Sequence, residues 1–161
     1  MHVRLATAAD GETIRAIYNR AVTETTDTFD MVARSVEDQV EWLVAHSGAH
    51  PAVVAVEDDE VVGFGSLSVY RSRPAYATTV EDSVYVREGR RGAGIGRAVL
   101  DELVRLAAAH GFHVVIGRIV GDNEASIALH RSCGFEPVGI EREVGRKFGR
   151  WLDVAVLQRL L

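Results

Sequence analysis

The chain has little cysteine, little proline and no surplus of positive charge over its 161 residues. Its one cysteine, Cys133, excludes an intramolecular disulfide and a cysteine-rich metal site. The six histidines show no short ligand spacing with a carboxylate, so no metal site is predicted. The formal net charge of -5 disfavours nucleic acid as a partner, because nucleic-acid binding selects a basic surface.

Long apolar runs are also missing. No run approaches the roughly 20 residues that cross a bilayer, and the first residues lack the apolar segment of a signal peptide. The hydrophobic fraction of 47% and the charged fraction of 25% are ordinary for a globular protein. We therefore expect one domain over residues 1–161, located in the cytoplasm, with no membrane partner.

Apolar spacing and turn residues predict the element order β-α-α-β-β-β-α-β-α-β-β. Thr7 or Asp10 can cap the first helix, and Ser35 opens a capping-box pattern for the second. This order combines antiparallel hairpins with one βαβ crossover. It predicts an α/β (α+β) fold with a mixed, mostly antiparallel sheet flanked by helices. The expected strands are residues 2–5, 52–56, 61–70, 77–86, 114–120, 136–142 and 151–159. The second helix is expected over residues 35–45, the third from the glycine loop to about residue 110, and the fourth over residues 124–133.

The most informative segment is residues 90–97, which read RRGAGIGR between a strand and an amphipathic helix. Three glycines keep side chains away, so that backbone N–H groups can surround an anion at a helix N-terminus. The flanking arginines add positive charge. The segment predicts a phosphate or pyrophosphate site, with a tight turn as the alternative. No lysine follows the glycines, so the segment does not match a nucleotide-binding P-loop.

The pattern Arg91-x-x-Gly94-x-Gly96 resembles the acyl-coenzyme A loop of the GNAT family of N-acetyltransferases, and the element order resembles the same family. The resemblance implies the GNAT fold and acetyl-CoA as cosubstrate, with its pyrophosphate on the loop amides. Asn123 either caps the following helix or reaches the pantetheine arm. The implied coenzyme contacts are Val84, Tyr85, Val86, Arg91, Gly92, Ala93, Gly94, Ile95, Gly96 and Asn123.

Acetyl transfer to an amine needs a base for the ammonium group, a donor for the developing oxyanion and a proton for the thiolate. Glu81 precedes the glycine loop by a few residues and can serve as base; the alternative is a solvated strand-edge carboxylate. Tyr85 can protonate the thiolate or merely pack. The N–H of Val86 can polarise the acetyl carbonyl, a role common in the resembled family. His130 is either a proton carrier or a solvated histidine on a helix surface.

A narrower resemblance, to phosphinothricin acetyltransferases, covers residues 18 to 153. It implies acetyl transfer to the α-amine of L-phosphinothricin or methionine sulfoximine, with related enzymes preferring methionine sulfone or sulfoximine. It also implies a homodimer whose paired active sites are shaped by residues 147–151. Residue by residue, it implies Glu81 as general base, His130 as its assistant, and Phe29, Arg71, Arg73 and Thr79 as substrate contacts. The matching segments are Tyr18-Asn19-x-Ala21-Val22, Thr28-Phe29-Asp30, Arg71-x-Arg73-x-Ala75-Tyr76, Thr79-Val80-Glu81-x-Ser83-Val84-Tyr85-Val86, Asn123-x-Ala125-Ser126-Ile127-x-Leu129-His130, Gly134-Phe135 and Val144-Gly145-x-Lys147-x-Gly149-Arg150-Trp151-x-Asp153.

Two other functions remain open at this point. A peptide or protein N-acetyltransferase would present an open groove to its acceptor instead of an arginine-lined pocket. A non-catalytic sensor of acyl-CoA would keep the coenzyme loop and tolerate the loss of Glu81. The leading hypothesis is direct transfer in a ternary complex with a small amino-acid analogue.

Overall fold

The computed structural model describes all residues from 1 to 161, and its elements follow the predicted order. Two short 3₁₀ turns, Ala8–Asp10 and Pro74–Tyr76, lie between the longer elements. The strands and helices, in chain order, are β1 (His2–Leu5), α1 (Gly11–Glu24), α2 (Val36–Ala45), β2 (Ala52–Glu57), β3 (Glu60–Val69), β4 (Thr79–Val86), α3 (Ile95–Ala109), β5 (Val114–Val120), α4 (Glu124–Ser132), β6 (Glu136–Lys147) and β7 (Arg150–Leu160).

All seven strands form one sheet in the order β1-β2-β3-β4-β5-β7-β6. Five of its six strand pairs are antiparallel, and only β4 and β5 run parallel. The parallel pair is joined through α3, as a βαβ crossover requires. The mixed, mostly antiparallel sheet with flanking helices is therefore confirmed.

The two faces of the sheet bury separate apolar clusters. On one face, α3 places Val99, Leu100 and Leu103 against the central strands. On the other face, α1 packs Ile14 and Tyr18 beside the strand residues, and α2 adds partly buried side chains. Side chains alternate along a strand, so consecutive residues of β4 contribute to opposite faces.

Several element boundaries differ from the sequence expectation. The strand β4 begins at Thr79 instead of residue 77, because the Pro74–Tyr76 turn occupies the preceding residues. The strand β6 extends five residues beyond 142, since a register shift between Glu141 and Gly145 lets pairing with β7 resume. The predicted Ser35 cap is present, since its side chain accepts from the backbone N–H of Asp38 at 3.0 Å. Asp10 is the N-cap residue of α1, but its side chain makes no cap hydrogen bond, and Thr7 precedes the 3₁₀ turn instead. No helix in the structure is long and apolar enough to span a membrane.

Glycine at position 65 allows α3 to approach β3 closely. A Cβ atom there would lie 2.6 Å from Val99 Cγ1 and 2.7 Å from the backbone oxygen of Ser83. We expect Gly65→Ala to lower the free energy of unfolding by about 1–3 kcal/mol, the usual cost of overpacking. Gly139→Ala is the matched control, because nothing lies within 4 Å of the added atom. Urea denaturation of both variants tests this; equal stability would contradict the packing argument.

Candidate active site

The site begins where β4 and β5 separate. Their parallel pairing runs from Thr79–Val114 to Asp82–Gly117, although β4 continues to Val86 and β5 to Val120. Beyond Asp82 the strands no longer pair, and a groove of about 840 Å³ opens on the sheet. Besides these strand ends, the groove is bounded by α1 and the loop after it, the glycine loop, the start of α3 and the helix α4.

The separation leaves backbone donors of β4 facing the groove. The N–H of Arg87 donates to Val62 on β3 at 2.9 Å, and the β3–β4 register contains no shift. Because hydrogen-bonding direction alternates along a strand, the N–H groups of Val84 and Val86 point to the other edge. Beyond Asp82, that edge has lost β5 as a partner. The hypothesis that Val86 offers an N–H to the acetyl carbonyl is therefore compatible with the direction of this N–H.

The glycine loop exposes its backbone as expected. Gly92 and Gly94 have φ angles of 83° and 79°, and an added Cβ at either would meet nothing within 4 Å. Gly94 directly precedes the first turn of α3, so the loop amides and the helix N-terminus lie together. Gly96 has a different role. A Cβ there would lie 3.0 Å from Leu129 Cδ2, so this glycine permits close packing of α3 on α4.

Asn123 confirms the cap that the sequence predicted for α4 and makes a second contact. Its Oδ1 accepts from the backbone N–H of Ser126 at 3.0 Å. Its Nδ2 donates to Asp27 Oδ1 at 2.9 Å, and Asp27 Oδ2 accepts from Arg91 Nη2 at 3.0 Å. Asp27 therefore joins the loop after α1 to two of the predicted coenzyme-binding residues. The sequence analysis missed Asp27, since only the fold brings these three residues together.

Glu81 is half-buried on β4, a central strand, so the alternative of a solvated carboxylate at a strand edge is wrong. Burial raises the pKa of Glu81, the charge of Arg118 opposes this rise, and Asp82 and Glu141 add to it. Arg118 itself donates two hydrogen bonds to Glu141, at 2.5 and 2.8 Å. Glu81 therefore lies beside an ion pair, with a pKa displaced towards that of an amine.

Asp82 and His130 form a buried pair on the opposite face of β4 from Glu81. His130 Nε2 donates to Asp82 Oδ2 at 3.0 Å, and Nδ1 donates to the backbone oxygen of Ser126 at 2.7 Å. The backbone oxygen of Ser126 can only accept, so Nδ1 carries a proton, and the hydrogen bond to Asp82 favours a second proton on Nε2. The histidine is 3% exposed, and the alternative of a solvated helix-surface histidine is wrong. The sequence analysis overlooked Asp82 as its partner.

The electrostatics of this pair follow from its burial. Burial alone would lower the pKa of His130, but the hydrogen bond and charge of Asp82, together with the Ser126 carbonyl, raise the pKa above its ordinary value. A Cβ at Gly117 would lie 2.8 Å from His130 Cδ2, so glycine at this position leaves space for the ring. His130 and Asp82 both line the groove.

Tyr85 contributes to the aromatic cluster beneath α1. Its ring stacks on Phe64 with centroids 5.2 Å apart and meets Tyr18 edge to face at the same separation. Burial is the main cause that raises the pKa of Tyr85, so the phenol stays protonated at neutral pH. Val84 and Val86 pack on the α3 side, which is the opposite face of β4 from Tyr85. These contacts favour the packing role of Tyr85 that the sequence left as an alternative.

The loop between α1 and α2 is fastened to the β6–β7 hairpin. Lys147 is 3% exposed, and its Nζ donates to the backbone oxygen of Thr28 at 2.8 Å. The ring of Phe29 packs on Gly145, where any Cβ atom would overlap it. The motif around Lys147 is thus explained by packing and hydrogen bonding to this loop. The other predicted substrate contacts, Arg71 and Arg73, are exposed between β3 and β4, with Arg71 lying over the Tyr70 and Tyr76 rings.

The groove is lined by most of the predicted coenzyme contacts but by none of the predicted substrate contacts. Ala93 is exposed and does not line it, and the Ile95 side chain belongs to the core, so only its backbone remains for a ligand. Glu81, Phe29, Arg71, Arg73 and Thr79 lie outside the groove lining. The predicted residues that line it are Val84, Tyr85, Val86, Arg91, Gly92, Gly94, Ile95, Gly96, Asn123 and His130.

The comparison with protein families matches residues 13–135 to the acetyltransferase (GNAT) family. The chain belongs to this family. Its glycine loop, the separation of β4 from β5 and the groove between them are those of an acetyl-CoA-dependent N-acetyltransferase. The expected family, fold and enzyme class are confirmed.

Two curated relatives match nearly the whole chain. A phosphinothricin N-acetyltransferase from Streptomyces coelicolor is 41% identical, with 100% of this chain and 96% of the relative covered. An L-methionine sulfoximine/L-methionine sulfone acetyltransferase from Pseudomonas paraeruginosa is 40% identical, with 97% and 92% covered. The narrower resemblance seen in the sequence is therefore confirmed.

Solved GNAT structures match equally well. A phosphinothricin acetyltransferase from Sinorhizobium meliloti in complex with AcCoA has a TM-score of 0.93 and 40% identity, covering 99% of this chain and 87% of that chain. A structure described as ribosomal-protein-alanine N-acetyltransferase from Brucella melitensis has a TM-score of 0.97 and 41% identity, covering both chains fully. The fold is thus shared across relatives whose names differ in the acceptor.

The Asp82–His130 pair predicts a pH-dependent contribution to stability. Because the folded pKa of His130 is raised, the pair stabilises the fold fully below the ordinary histidine pKa, and this stabilisation is lost as pH rises through the raised value. We expect Asp82→Asn to lower the free energy of unfolding by about 3 kcal/mol at pH 6, as when a buried ion pair is broken, and by less at pH 9.

Urea denaturation at pH 6 and pH 9 measures this difference. Asp101→Asn is the control, because Asp101 is half-exposed and its 3.5 Å pair with Arg97 lies at the surface. Its effect is expected to stay below about 0.5 kcal/mol at both pH values. An Asp82→Asn effect that is the same at pH 6 and pH 9 would show that His130 is not charged in the folded protein.

Proposed function

We propose that this enzyme transfers the acetyl group of acetyl-CoA to the α-amine of a small amino-acid analogue such as L-phosphinothricin, methionine sulfoximine or methionine sulfone. The observation that carries the proposal is the opening between β4 and β5, with Glu81 on one face of β4 and the buried Asp82–His130 pair on the other. The names of the curated relatives support this acceptor class. Transfer is direct, in a ternary complex, since the buried Cys133 does not line the groove and offers no nucleophile.

Backbone N–H donors make the groove suitable for binding the coenzyme. Acetyl-CoA, when bound, supplies an acetyl thioester as the activated acyl group. The amides of residues 92–96 and the Arg91 guanidinium would hold its diphosphate, because glycine leaves the approach to these donors open. Asn123 would contact the pantetheine arm, and the N–H groups of Val84 and Val86 would polarise the thioester carbonyl.

Glu81 takes the proton from the acceptor ammonium, directly or through a water molecule. Its ordinary pKa of about 4.3 lies well below the value near 8 of a peptide α-amine, so proton transfer to a solvated carboxylate would be uphill. Burial raises the pKa of Glu81 and reduces this mismatch.

Tyr85 is the proposed proton donor to the thiolate leaving group, since its phenol is protonated at neutral pH and it lines the groove. His130 and Asp82 also line the groove, but both ring nitrogens of His130 are already hydrogen-bonded, to Asp82 and to the backbone oxygen of Ser126. His130 would therefore assist Glu81 only indirectly, by holding Asp82 and the adjoining strand in place.

Arg71, Arg73, Phe29 and Thr79 are proposed to contact the acceptor. The two guanidiniums suit the carboxylate and the phosphinate of phosphinothricin, which arginine binds through paired hydrogen bonds. Phe29 would cover the apolar part of the acceptor. Because these residues lie outside the groove lining, the acceptor would approach beside the coenzyme instead of through the same channel.

The remaining parts of the proposal concern assembly and location. We propose a homodimer that uses the β6–β7 hairpin, where Val138, Ile140, Phe148 and Trp151 are exposed apolar residues on or next to an edge strand. Residues 147–151 would then shape the acceptor sites. The chain acts as a single domain, since one sheet includes strands from both termini. A cytoplasmic location accords with the supply of acetyl-CoA there.

The role of Glu81 is tested by Glu81→Gln. We expect kcat to fall by about 100-fold or more, the usual contribution of a general base, with little change in the Kd for acetyl-CoA. In the unaltered enzyme, the acid limb of the kcat/KM profile should lie above the ordinary glutamate range, because the pKa of Glu81 is raised. Glu136→Gln, an exposed change on β6, is the control. Unchanged turnover in Glu81→Gln would remove this residue from the mechanism.

The acceptor is tested by measuring release of coenzyme A thiol near pH 8. Parallel reactions contain L-phosphinothricin, methionine sulfoximine, methionine sulfone or a peptide with an N-terminal alanine. We expect turnover with at least one of the three amino-acid analogues and a kcat/KM at least tenfold lower for the peptide. Turnover with the peptide alone would favour the protein-acetyltransferase alternative. Tight acetyl-CoA binding without turnover of any acceptor would contradict the proposed acceptor class.

A further inference from the structure

Asp27 connects three segments that are far apart in the chain. Its carboxylate accepts from Arg91, 64 positions away in the glycine loop, and from Asn123, 96 positions away at the start of α4. The Asp27 side chain is 21% exposed, whereas that of Arg91 is 66% exposed. The carboxylate of Asp27 is thus mostly enclosed by protein, and it accepts a hydrogen bond from an Arg91 side chain that is mostly exposed.

The loop that carries Asp27 also carries proposed acceptor contacts. Thr28 follows directly, and its backbone oxygen is held by the buried Lys147. Thr28 Oγ1 also lies 3.0 Å from the hydroxyl of Tyr18. Phe29 comes next and packs on the hairpin at Gly145. Asp27 is thus covalently joined, through one and two peptide units, to two residues that are held against the β6–β7 hairpin.

The charge on Asp27 opposes the ligand that Arg91 is proposed to bind. A carboxylate and a phosphate group about 4 Å apart repel by about 1 kcal/mol even in water, and by more where water is excluded. Asp27 engages Arg91 through one N–H only, whereas a phosphate can take two parallel hydrogen bonds from a guanidinium. A diphosphate is therefore the stronger partner for Arg91, and Asp27 is the group that it must displace.

We propose that Asp27 competes with the coenzyme diphosphate for Arg91, and that this exchange couples coenzyme binding to the position of the loop over residues 25–34. The proposal rests on the coenzyme site described under the proposed function. Coenzyme binding takes Arg91 from Asp27 and loosens one of the attachments of the loop. The coupling is reciprocal: a loop held by Asp27 weakens coenzyme binding, and a bound coenzyme frees the loop to close on an acceptor. Asp27 is a positioning residue that touches neither reacting group.

Isothermal titration of acetyl-CoA into Asp27→Asn tests the competition. We expect the Kd for acetyl-CoA to fall about 3- to 10-fold, because the negative charge of Asp27 no longer competes for Arg91. Damage to the fold would weaken binding, so tightening is a readout that a merely structural role would not give. Asp122→Asn is the matched control: it removes the same charge next to Asn123, but Asp122 pairs with the exposed Arg150. Its Kd should change less than about twofold.

The path of the effect is tested in an Arg91→Gln background. Adding Asp27→Asn there should give no further tightening, because Asp27 then has no guanidinium to withhold. S-acetylpantetheine lacks the diphosphate, so its affinity should be the same for Asp27→Asn and the unaltered protein. Amide hydrogen exchange over residues 25–34 should rise when acetyl-CoA binds and stay unchanged with S-acetylpantetheine.

Unchanged or weaker acetyl-CoA binding in Asp27→Asn would overturn the inference, as would equal tightening in Asp122→Asn. Asp27→Ser provides a second variant should Asp27→Asn fold poorly, with the same expected tightening. If the unaltered protein does not bind acetyl-CoA, the proposed function itself fails, and that result is distinct from any difference between the variants.

Discussion

The site depends on the loss of pairing between two parallel strands. The strands β4 and β5 are bonded up to Asp82 and Gly117 and diverge afterwards, so the sheet contains an opening instead of a continuous ladder. Backbone N–H groups in a sheet interior are ordinarily consumed by the neighbouring strand. Here the divergence leaves those of Val84 and Val86 free for a ligand. The glycine loop then follows within a few residues, so donors from the strand and from the helix N-terminus serve one groove.

The period of two along β4 separates the charged groups of the site. Glu81 and Asp82 are neighbours in sequence but face opposite sides of the sheet, and each acquires a different partner. Glu81 lies beside the Arg118–Glu141 ion pair, while Asp82 is hydrogen-bonded to His130 and raises the pKa of the imidazole. Two adjacent carboxyl groups thereby acquire different surroundings. A single strand carries both the proposed base and the partner of His130.

Much of the fold could be predicted from the sequence because its signals are local. Alternation, helical spacing and the capping box at Ser35 predicted the element order, and the glycine loop predicted a turn with an open backbone at the start of α3. The extent of β6 was missed, since a register shift near Gly145 is not visible in apolar spacing. The partnerships of Asp82 with His130 and of Asp27 with Arg91 join residues 48 and 64 positions apart. No local pattern encodes such pairs, and they emerge only when the chain is folded.

The two glycines of β3 have a consequence for how the chain finds its register. Gly63 and Gly65 pair with Val86 and Val84, and a Cβ on either glycine would collide with α3. Beside these two glycines the space between the sheet and α3 therefore leaves little room for a larger side chain. A slip of β4 by one residue would turn Tyr85 towards α3 and would exchange the faces of Glu81 and Asp82. The close approach of α3 to β3 thus disfavours the slipped register, because the Tyr85 ring would keep α3 from packing in its place.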